Sequence, residues 1–226
     1  SGGGQREGTL EELLDGVYGE LDTIQSEDAR QEYIVERAIL TPLNDDVDAV
    51  IELMTARMCA RRDGGGVVES RLYSSADSVV RGEATDFLWP TEFLNSLMSG
   101  LPPHKLHLHV GCPIILLRNM SATLANGTRL VVTRLMDNII QAKVATGSAK
   151  GRVVMLPRLN LVPSDGTNLP FELCRRQFPV RVAYAMTINK AQGQTLKAAD
   201  VYLPCPVFSH GQLYVAFSRV GIWGAL

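Results

Sequence analysis

The segment from about residue 106 to residue 178 constrains the fold more than any other part of the sequence. It consists of short apolar or alternating stretches, separated by turn signals such as Asn-Gly, Asp-Asn and Gly-Ser. Strands that are this short and this evenly spaced are typical of small barrels. We therefore predict a small β-barrel over 106–178, inserted into a body with a different pattern.

The pattern before this segment is that of an α/β body. Thr9-Leu10-Glu11-Glu12 has the form of a capping box, which predicts a helix start. Ala38–Thr41 reads as a buried strand, and Pro42 prevents a helix from running into it. Asn44 is the predicted N-cap of the next helix, so that a strand, a turn and a capped helix follow one another.

The same α/β pattern returns after the segment. Val180–Met186 is strand-like, a polar turn follows it, and Ala199–Leu203 is a second short strand. We expect 9–105 and 179–226 to form one α/β body, with 1–8 as a disordered lead-in because that stretch is rich in glycine.

Charge is divided unevenly along the 226 residues. Residues 1–100 carry 8 Arg and Lys against 20 Asp and Glu, whereas residues 101–226 carry 14 against 4, for a net charge of −2. A basic half favours a polyanion or an acidic protein surface as partner. No apolar run has the ~18 residues of a membrane span, and the four cysteines form no Cys-x-x-Cys pair. We therefore expect an intracellular protein with no membrane partner.

The most informative short segment is 185–196. Its strand ends in a cluster of amide, hydroxyl and ammonium groups around Gly193. Such a turn offers several hydrogen-bond donors to phosphates, and a glycine allows the backbone to approach a ligand closely. The alternative is a polar loop without a ligand.

A second segment, 211–219, predicts a short helix that ends at an arginine. Leu213, Ala216 and Phe217 form its apolar face, and Arg219 follows. An arginine on a rigid element can stabilise charge on a phosphate in a neighbouring site. The alternative is an arginine that interacts only with the end of its own helix.

Together with several longer runs, these two segments resemble the Pif family of DNA helicases, in particular the form found in Helitron-type transposable elements. The resemblance covers about Tyr33 to Arg219, and its other matching runs are 36–47, 92–97, 100–106, 111–119, 126–130 and 176–179. It implies an α/β fold, namely the second RecA-like helicase core with an inserted small SH3-like β-barrel, the 2B-like domain of the family.

The resemblance also implies roles for individual residues. Those implied to contact single-stranded DNA are Thr41, Asn44, Thr187, Asn189 and Lys190. Those implied to bind nucleotide are Gln192, Gly193, Gln194 and Arg219. Arg219 is the implied catalytic residue, because it matches the arginine that reaches the γ-phosphate.

The implied cofactors of the intact helicase are ATP and Mg²⁺, and the implied partner is single-stranded DNA. The sequence contains no G-x-x-x-x-G-K-[ST] loop to hold the phosphates, and no apolar strand that ends in an Asp-Glu pair. We therefore expect this chain alone to bind no cofactor and to hydrolyse no ATP. A missing N-terminal RecA-like core, in cis or in trans, would complete the enzyme.

Two other functions remain open. The chain could be a non-catalytic single-stranded DNA-binding module or relic of a transposon-encoded helicase, or an interaction domain whose acidic half docks a basic partner. For the helicase, the family implies DNA repair, recombination and telomere maintenance, in the nucleus or mitochondrion of a eukaryote.

No metal site is predicted. Alternation along a strand places His107 and His109 on one face, near His104 and Cys112 in the sequence. No second His or Cys pair has the spacing of metal ligands. A solvated strand face is the favoured interpretation of these histidines.

Overall fold

The computed structural model describes residues 9–60, 62–63, 66–82, 90–97, 100–163, 171–194, 196–204, 211, 214–215 and 218. The chain divides into two compact units, which we call unit 1 (Ser1–Arg57 and Ala183–Leu226) and unit 2 (Met58–Val182). Within the described ranges, no helix is both long enough and apolar enough to span a membrane.

Three helices and β1 come first, a region made mainly of strands follows, and the last two strands return to the sheet of unit 1. The helices are α1 (Leu10–Tyr18), α2 (Glu27–Val35), α3 (Asn44–Ala60) and α4 (Thr91–Ser96), with 3-10 turns at Gly19–Asp22 and Ile188–Ala191. The strands are β1 (Arg37–Thr41), β2 (Arg62–Asp63), β3 (Gly66–Val67), β4 (Ser70–Ser74), β5 (Ala76–Gly82), β6 (Lys105–His109), β7 (Pro113–Leu116), β8 (Arg129–Leu135), β9 (Ile139–Val144), β10 (Val153–Pro157), β11 (Leu159–Leu161), β12 (Phe171–Gln177), β13 (Val180–Val182), β14 (Ala185–Thr187) and β15 (Ala198–Val201).

Unit 1 contains a parallel three-stranded sheet in the order β14-β1-β15. The capping box predicted at Thr9 starts α1: the Thr9 hydroxyl accepts from the Glu12 amide at 3.3 Å, and the Glu12 carboxylate accepts from the Thr9 amide at 3.1 Å. Tyr18, at the end of α1, donates its hydroxyl to the Tyr184 carbonyl at 2.8 Å, which ties this helix to the sheet.

The strand predicted at Val180–Met186 is wrong in one respect, because the structure has two strands there. β13 pairs antiparallel with β7 in unit 2, whereas β14 pairs parallel with β1 in unit 1. Ala183 and Tyr184 separate the two strands, at the boundary between the units. Every residue of the run is apolar except Arg181, so its hydrophobicity carried no sign of the break.

Unit 2 is built from antiparallel strands. Its largest sheet has the order β10-β9-β8-β7-β13, a second has the order β11-β12-β5, and β4 pairs with β6. The unit begins well before residue 106, because β4 and β5 pair with β6 and β12. The described strands form separate sheets, and the closed SH3-like barrel stays a prediction.

Two polar side chains, Arg175 and Gln177, lie on the buried face of β12. Arg175 is fully buried and forms a forked ion pair with Asp77 of β5, with nitrogen–oxygen distances of 2.7 to 3.1 Å. It also donates to the carbonyl groups of Leu94, Asn95 and Pro102. Arg175 therefore fastens α4 and the following loop to the β5–β12 pair.

Candidate nucleic-acid site

The candidate site lies at the carboxyl ends of β1 and β14 in unit 1. Thr41 and Thr187 end these two strands and are direct partners in the parallel register. Neighbouring strands in a sheet lie about 4.8 Å apart. The structure therefore brings together two segments that are far apart in the sequence and that were both predicted to contact DNA.

The turn after Thr187 packs against the core of unit 1 through two apolar side chains. Ile188 and Ala191 are buried in one cluster with Leu40 and Met186. Residues three apart lie on the same side of a 3-10 helix, so burial of this pair fixes the turn's orientation.

The two residues between this pair, Asn189 and Lys190, are exposed. The side chains of Asn189 and Lys190 therefore lie on the exposed side of the turn that follows the buried strand β14. This geometry suits contact with a phosphate backbone.

Thr41 has a different environment. Its side chain is buried, and its hydroxyl donates to the Asp46 carboxylate in the first turn of α3 at 3.1 Å. Sequence reasoning did not identify this contact. A direct DNA contact by Thr41 stays a prediction.

Asn44 is exposed and is the first residue of α3. The Leu43 carbonyl accepts the first helical hydrogen bond, from the Val47 amide, so the cap lies one residue earlier than predicted.

The predicted nucleotide residues are only partly within the described chain. Gln192 and Gly193 are exposed and Gln194 is half-buried. The Gln192 and Gln194 backbone amides donate to Asn189 and Ala191, so these two amides serve the turn itself. Gly193 has a φ of +81°, a conformation that favours glycine. Arg219 lies outside the described residues.

Charge differs between the two units. Unit 1 carries 7 Arg and Lys against 15 Asp and Glu, whereas unit 2 carries 15 against 9. The basic half inferred from the sequence therefore corresponds mainly to unit 2. Lys190 is one of only three Lys or Arg residues in the second segment of unit 1, Ala183–Leu226.

Two other ionisable groups lie on β15 or just before it. Lys197 forms an ion pair with Glu36 at 2.7 Å, and this hydrogen bond raises the pKa of Lys197. Burial raises the pKa of the Asp200 carboxyl above its ordinary value. Asp200 lies beside Gly16 of α1, where a β-carbon would stand 3.4 Å from Oδ2.

The histidines do not share one solvated face as predicted. His107 is exposed, but His109 is buried and its Nδ1 lies 2.8 Å from the Val110 carbonyl, so the prediction is wrong for His109. In the part of the chain that the structure describes, no group of three or more His, Cys, Asp or Glu residues could hold a metal ion.

Sequence comparison relates this chain to known helicases. A family model described as the 2B domain of the DNA helicase Pif1 matches residues 92–135. The human ATP-dependent DNA helicase PIF1 is 31% identical over 174 residues, which cover 74% of this chain and 26% of that protein. The PIF1 helicase of Emericella nidulans is 28% identical over 232 residues, which cover 82% of this chain and 29% of that protein. This chain matches part of a Pif-family DNA helicase. It spans about a quarter of the length of these relatives.

Solved Pif1 structures share its fold. The crystal structure of Bacteroides Pif1 bound to ssDNA has a TM-score of 0.55 at 23% identity, covering 94% of this chain and 47% of that chain. The crystal structure of Candida albicans Pif1 has a TM-score of 0.55 at 19% identity, and the match covers 96% of this chain and 55% of that chain. At these identities the likeness concerns the fold, which is the α/β fold of Pif1 helicases.

Proposed function

We propose that this Pif-family chain is the C-terminal half of an ATP-dependent DNA helicase that translocates on single-stranded DNA and unwinds duplex. In this proposal residues 9–105 and 179–226 form the second RecA-like core of a helicase of the Helitron type. The segment 106–178 is its SH3-like insert, which steers or holds the strand.

The observation that carries the proposal is the turn after β14, which is packed on one side and exposed on the other. Burial of Ile188 and Ala191 holds Asn189 and Lys190 in solvent at the end of a parallel strand. Cations and amides attached to a rigid element can bind successive phosphates without first being ordered. The Bacteroides relative is described as bound to ssDNA, which makes a DNA strand the first ligand to test.

ATP and Mg²⁺ are the proposed cofactors of the complete enzyme, in which ATP hydrolysis supplies the free energy for movement. Gln192, Gly193, Gln194 and Arg219 are the residues proposed to face the nucleotide from this half. Because the sequence has no P-loop, we propose that a separate N-terminal core holds the phosphates. This chain alone is then expected to show no ATP turnover.

The test is a fluorescence-anisotropy titration of the whole chain with a labelled single-stranded oligonucleotide at two salt concentrations. Lys190→Ala is expected to weaken binding and to lower the slope of log K against log salt by about 0.7, the value for one phosphate contact on a single strand. Lys197→Ala is the matched control, because Lys197 is equally an exposed lysine of unit 1 but lies beside β15, outside the turn proposed to contact DNA. Equal effects of the two substitutions, or no binding by a folded chain, would contradict the proposed DNA path.

The second candidate is a non-catalytic single-stranded DNA-binding module, which the missing P-loop sequence favours. It predicts the same salt-dependent binding, unchanged when a P-loop core and ATP are added. The helicase proposal predicts instead that this core, mixed with the chain, restores DNA-stimulated ATP turnover that Arg219→Ala abolishes.

A further inference from the structure

The edge strand β10 of unit 2 has backbone groups that its own sheet does not use. β10 is the terminal strand in the order β10-β9-β8-β7-β13. The Val144 amide donates to the Arg152 carbonyl at 2.8 Å, which fixes the hydrogen-bonded positions of the β9–β10 ladder. Since such positions alternate in an antiparallel pair, the N–H and C=O groups of Val153 and Met155 point away from β9.

Pro157 agrees with this direction. It occupies the next position in the same alternation, opposite Ile139. Proline has no N–H to donate, so past the first residue of a regular strand it is found mainly where the N–H would face an open edge. Among the residues that the structure describes, nothing pairs with the open side of β10.

The side chains along this edge are apolar and exposed. Val153 is 50% exposed and Met155 is 56% exposed, and Ile139 on the neighbouring strand adds to the same surface. An exposed apolar edge strand is a template for pairing with another chain. We call this surface the β10 edge.

The border of the β10 edge is basic. Lys143 is the cross-strand partner of Val153, and Arg134 lies in the same cross-strand row as Met155, through Gln141. Arg152, immediately before the strand, is exposed. A ligand on this edge therefore meets apolar contacts beside Met155 and positive charge around them.

We infer that the β10 edge binds an extended acidic peptide segment of a partner protein, which adds to the sheet as a sixth strand. Apolar side chains at alternate positions of the peptide pack against Val153 and Met155. Acidic side chains of the peptide meet Arg152 and the border cations. Main-chain hydrogen bonds provide the affinity, as in other cases of strand addition. This inference is independent of the DNA-binding function proposed for unit 1.

Two other occupants fit less well. Single-stranded nucleic acid is held mainly by stacking on aromatic side chains, and the three exposed apolar side chains here are aliphatic. A second copy paired through its own β10 would bring together two surfaces with the same basic border, and like charge on both partners opposes association.

The test is an anisotropy titration of the whole chain with a fluorescein-labelled peptide, Glu-Val-Glu-Val-Glu-Val-Glu. A peptide of the same composition in blocked order, Glu-Glu-Glu-Glu-Val-Val-Val, is the matched probe, because it keeps charge and hydrophobicity but not alternation. We expect the alternating peptide to bind at least tenfold more tightly. Equal binding of the two probes, or none, would overturn the inference.

Met155→Pro separates strand addition from simple charge attraction. The substitution removes an N–H that β9 does not use, so the sheet is expected to keep its circular-dichroism spectrum while peptide affinity falls at least tenfold. Leu203→Glu, at an exposed apolar position in unit 1, is the control and is expected to leave affinity unchanged.

Methylated peptides provide the same test on the unaltered protein, should Met155→Pro not fold. Backbone N-methylation of alternate residues blocks one side of the peptide strand, so one of the two methylated registers must lose binding and the other must keep it. Loss or retention in both registers refutes pairing. Displacement of the peptide by oligo-dT would assign the β10 edge to nucleic acid. A concentration-dependent dimer that is lost in Met155→Pro would assign the β10 edge to a second copy of the chain. Either result overturns the inference.

Discussion

The buried ion pair between Arg175 and Asp77 gives the sharpest stability prediction. Arg175→Met removes the guanidinium group but keeps an apolar stem of similar length. It leaves the Asp77 carboxylate, also fully buried, with the Ser75 hydroxyl at 2.7 Å as its remaining described partner. Removing one member of a buried ion pair typically costs about 3–5 kcal/mol in the free energy of unfolding.

Loss of the three carbonyl contacts of Arg175 places the expected cost in the upper part of that range. Arg176→Met is the control, because Arg176 is the next residue of β12 and is exposed. A surface change of this kind is expected to stay within about 0.5 kcal/mol.

Urea unfolding of the whole chain, followed by circular dichroism, measures the difference. For a slope of about 2 kcal/mol per M, a loss of 4 kcal/mol lowers the urea midpoint by about 2 M. The double variant Arg175→Met with Asp77→Leu completes a thermodynamic cycle, and its two changes are expected to be strongly non-additive. If the free energies of unfolding of Arg175→Met and Arg176→Met differ by less than about 1 kcal/mol, or if the cycle is additive, the ion pair does not fasten α4 to the sheet.

Two further predictions concern unit 1. Burial raises the pKa of Asp200, so the neutral carboxyl favours folding below pH 3.8, the ordinary pKa, and this contribution is lost as pH rises through the folded-state pKa. Asp200→Asn should therefore raise the urea midpoint at pH 7 but not near pH 3. An equal gain at both pH values would contradict this argument. Tyr18→Phe removes the hydrogen bond to the Tyr184 carbonyl and should cost about 1 kcal/mol in the same measurement, whereas Tyr214→Phe, at an exposed tyrosine, should cost nothing measurable.

Local signals in the sequence predicted the local structure well. The capping box at Thr9, the strand ending at Thr41 and the helix from Asn44 depend on neighbouring residues, and all three are present. The split between β13 and β14 depends instead on which distant strand each one joins. Hydrophobicity records burial but not the identity of the partner strand, so the two appeared as one.

The candidate site shows the same division. Exposure of Asn189 and Lys190 follows from the polar sequence of the turn, but the pairing of Thr41 with Thr187 and the bond to Asp46 required the tertiary structure. Arg175 had a detectable signal that was missed. It continues the period-two alternation of Phe171 and Leu173, so its position on the buried face could have been read from β12 itself.

The arrangement of unit 1 also dictates an order of events during synthesis. Its first helix and its sheet are joined by a hydrogen bond from the Tyr18 hydroxyl to the Tyr184 carbonyl, between residues that are 166 positions apart in the chain. Between them the ribosome produces all of unit 2, whose strands can pair before β14 emerges. The apolar strand β1 must therefore wait without either of its neighbours while unit 2 folds. Because exposed strands with delayed partners are prone to aggregate, this chain is expected to depend on holding chaperones most strongly while unit 2 is being translated.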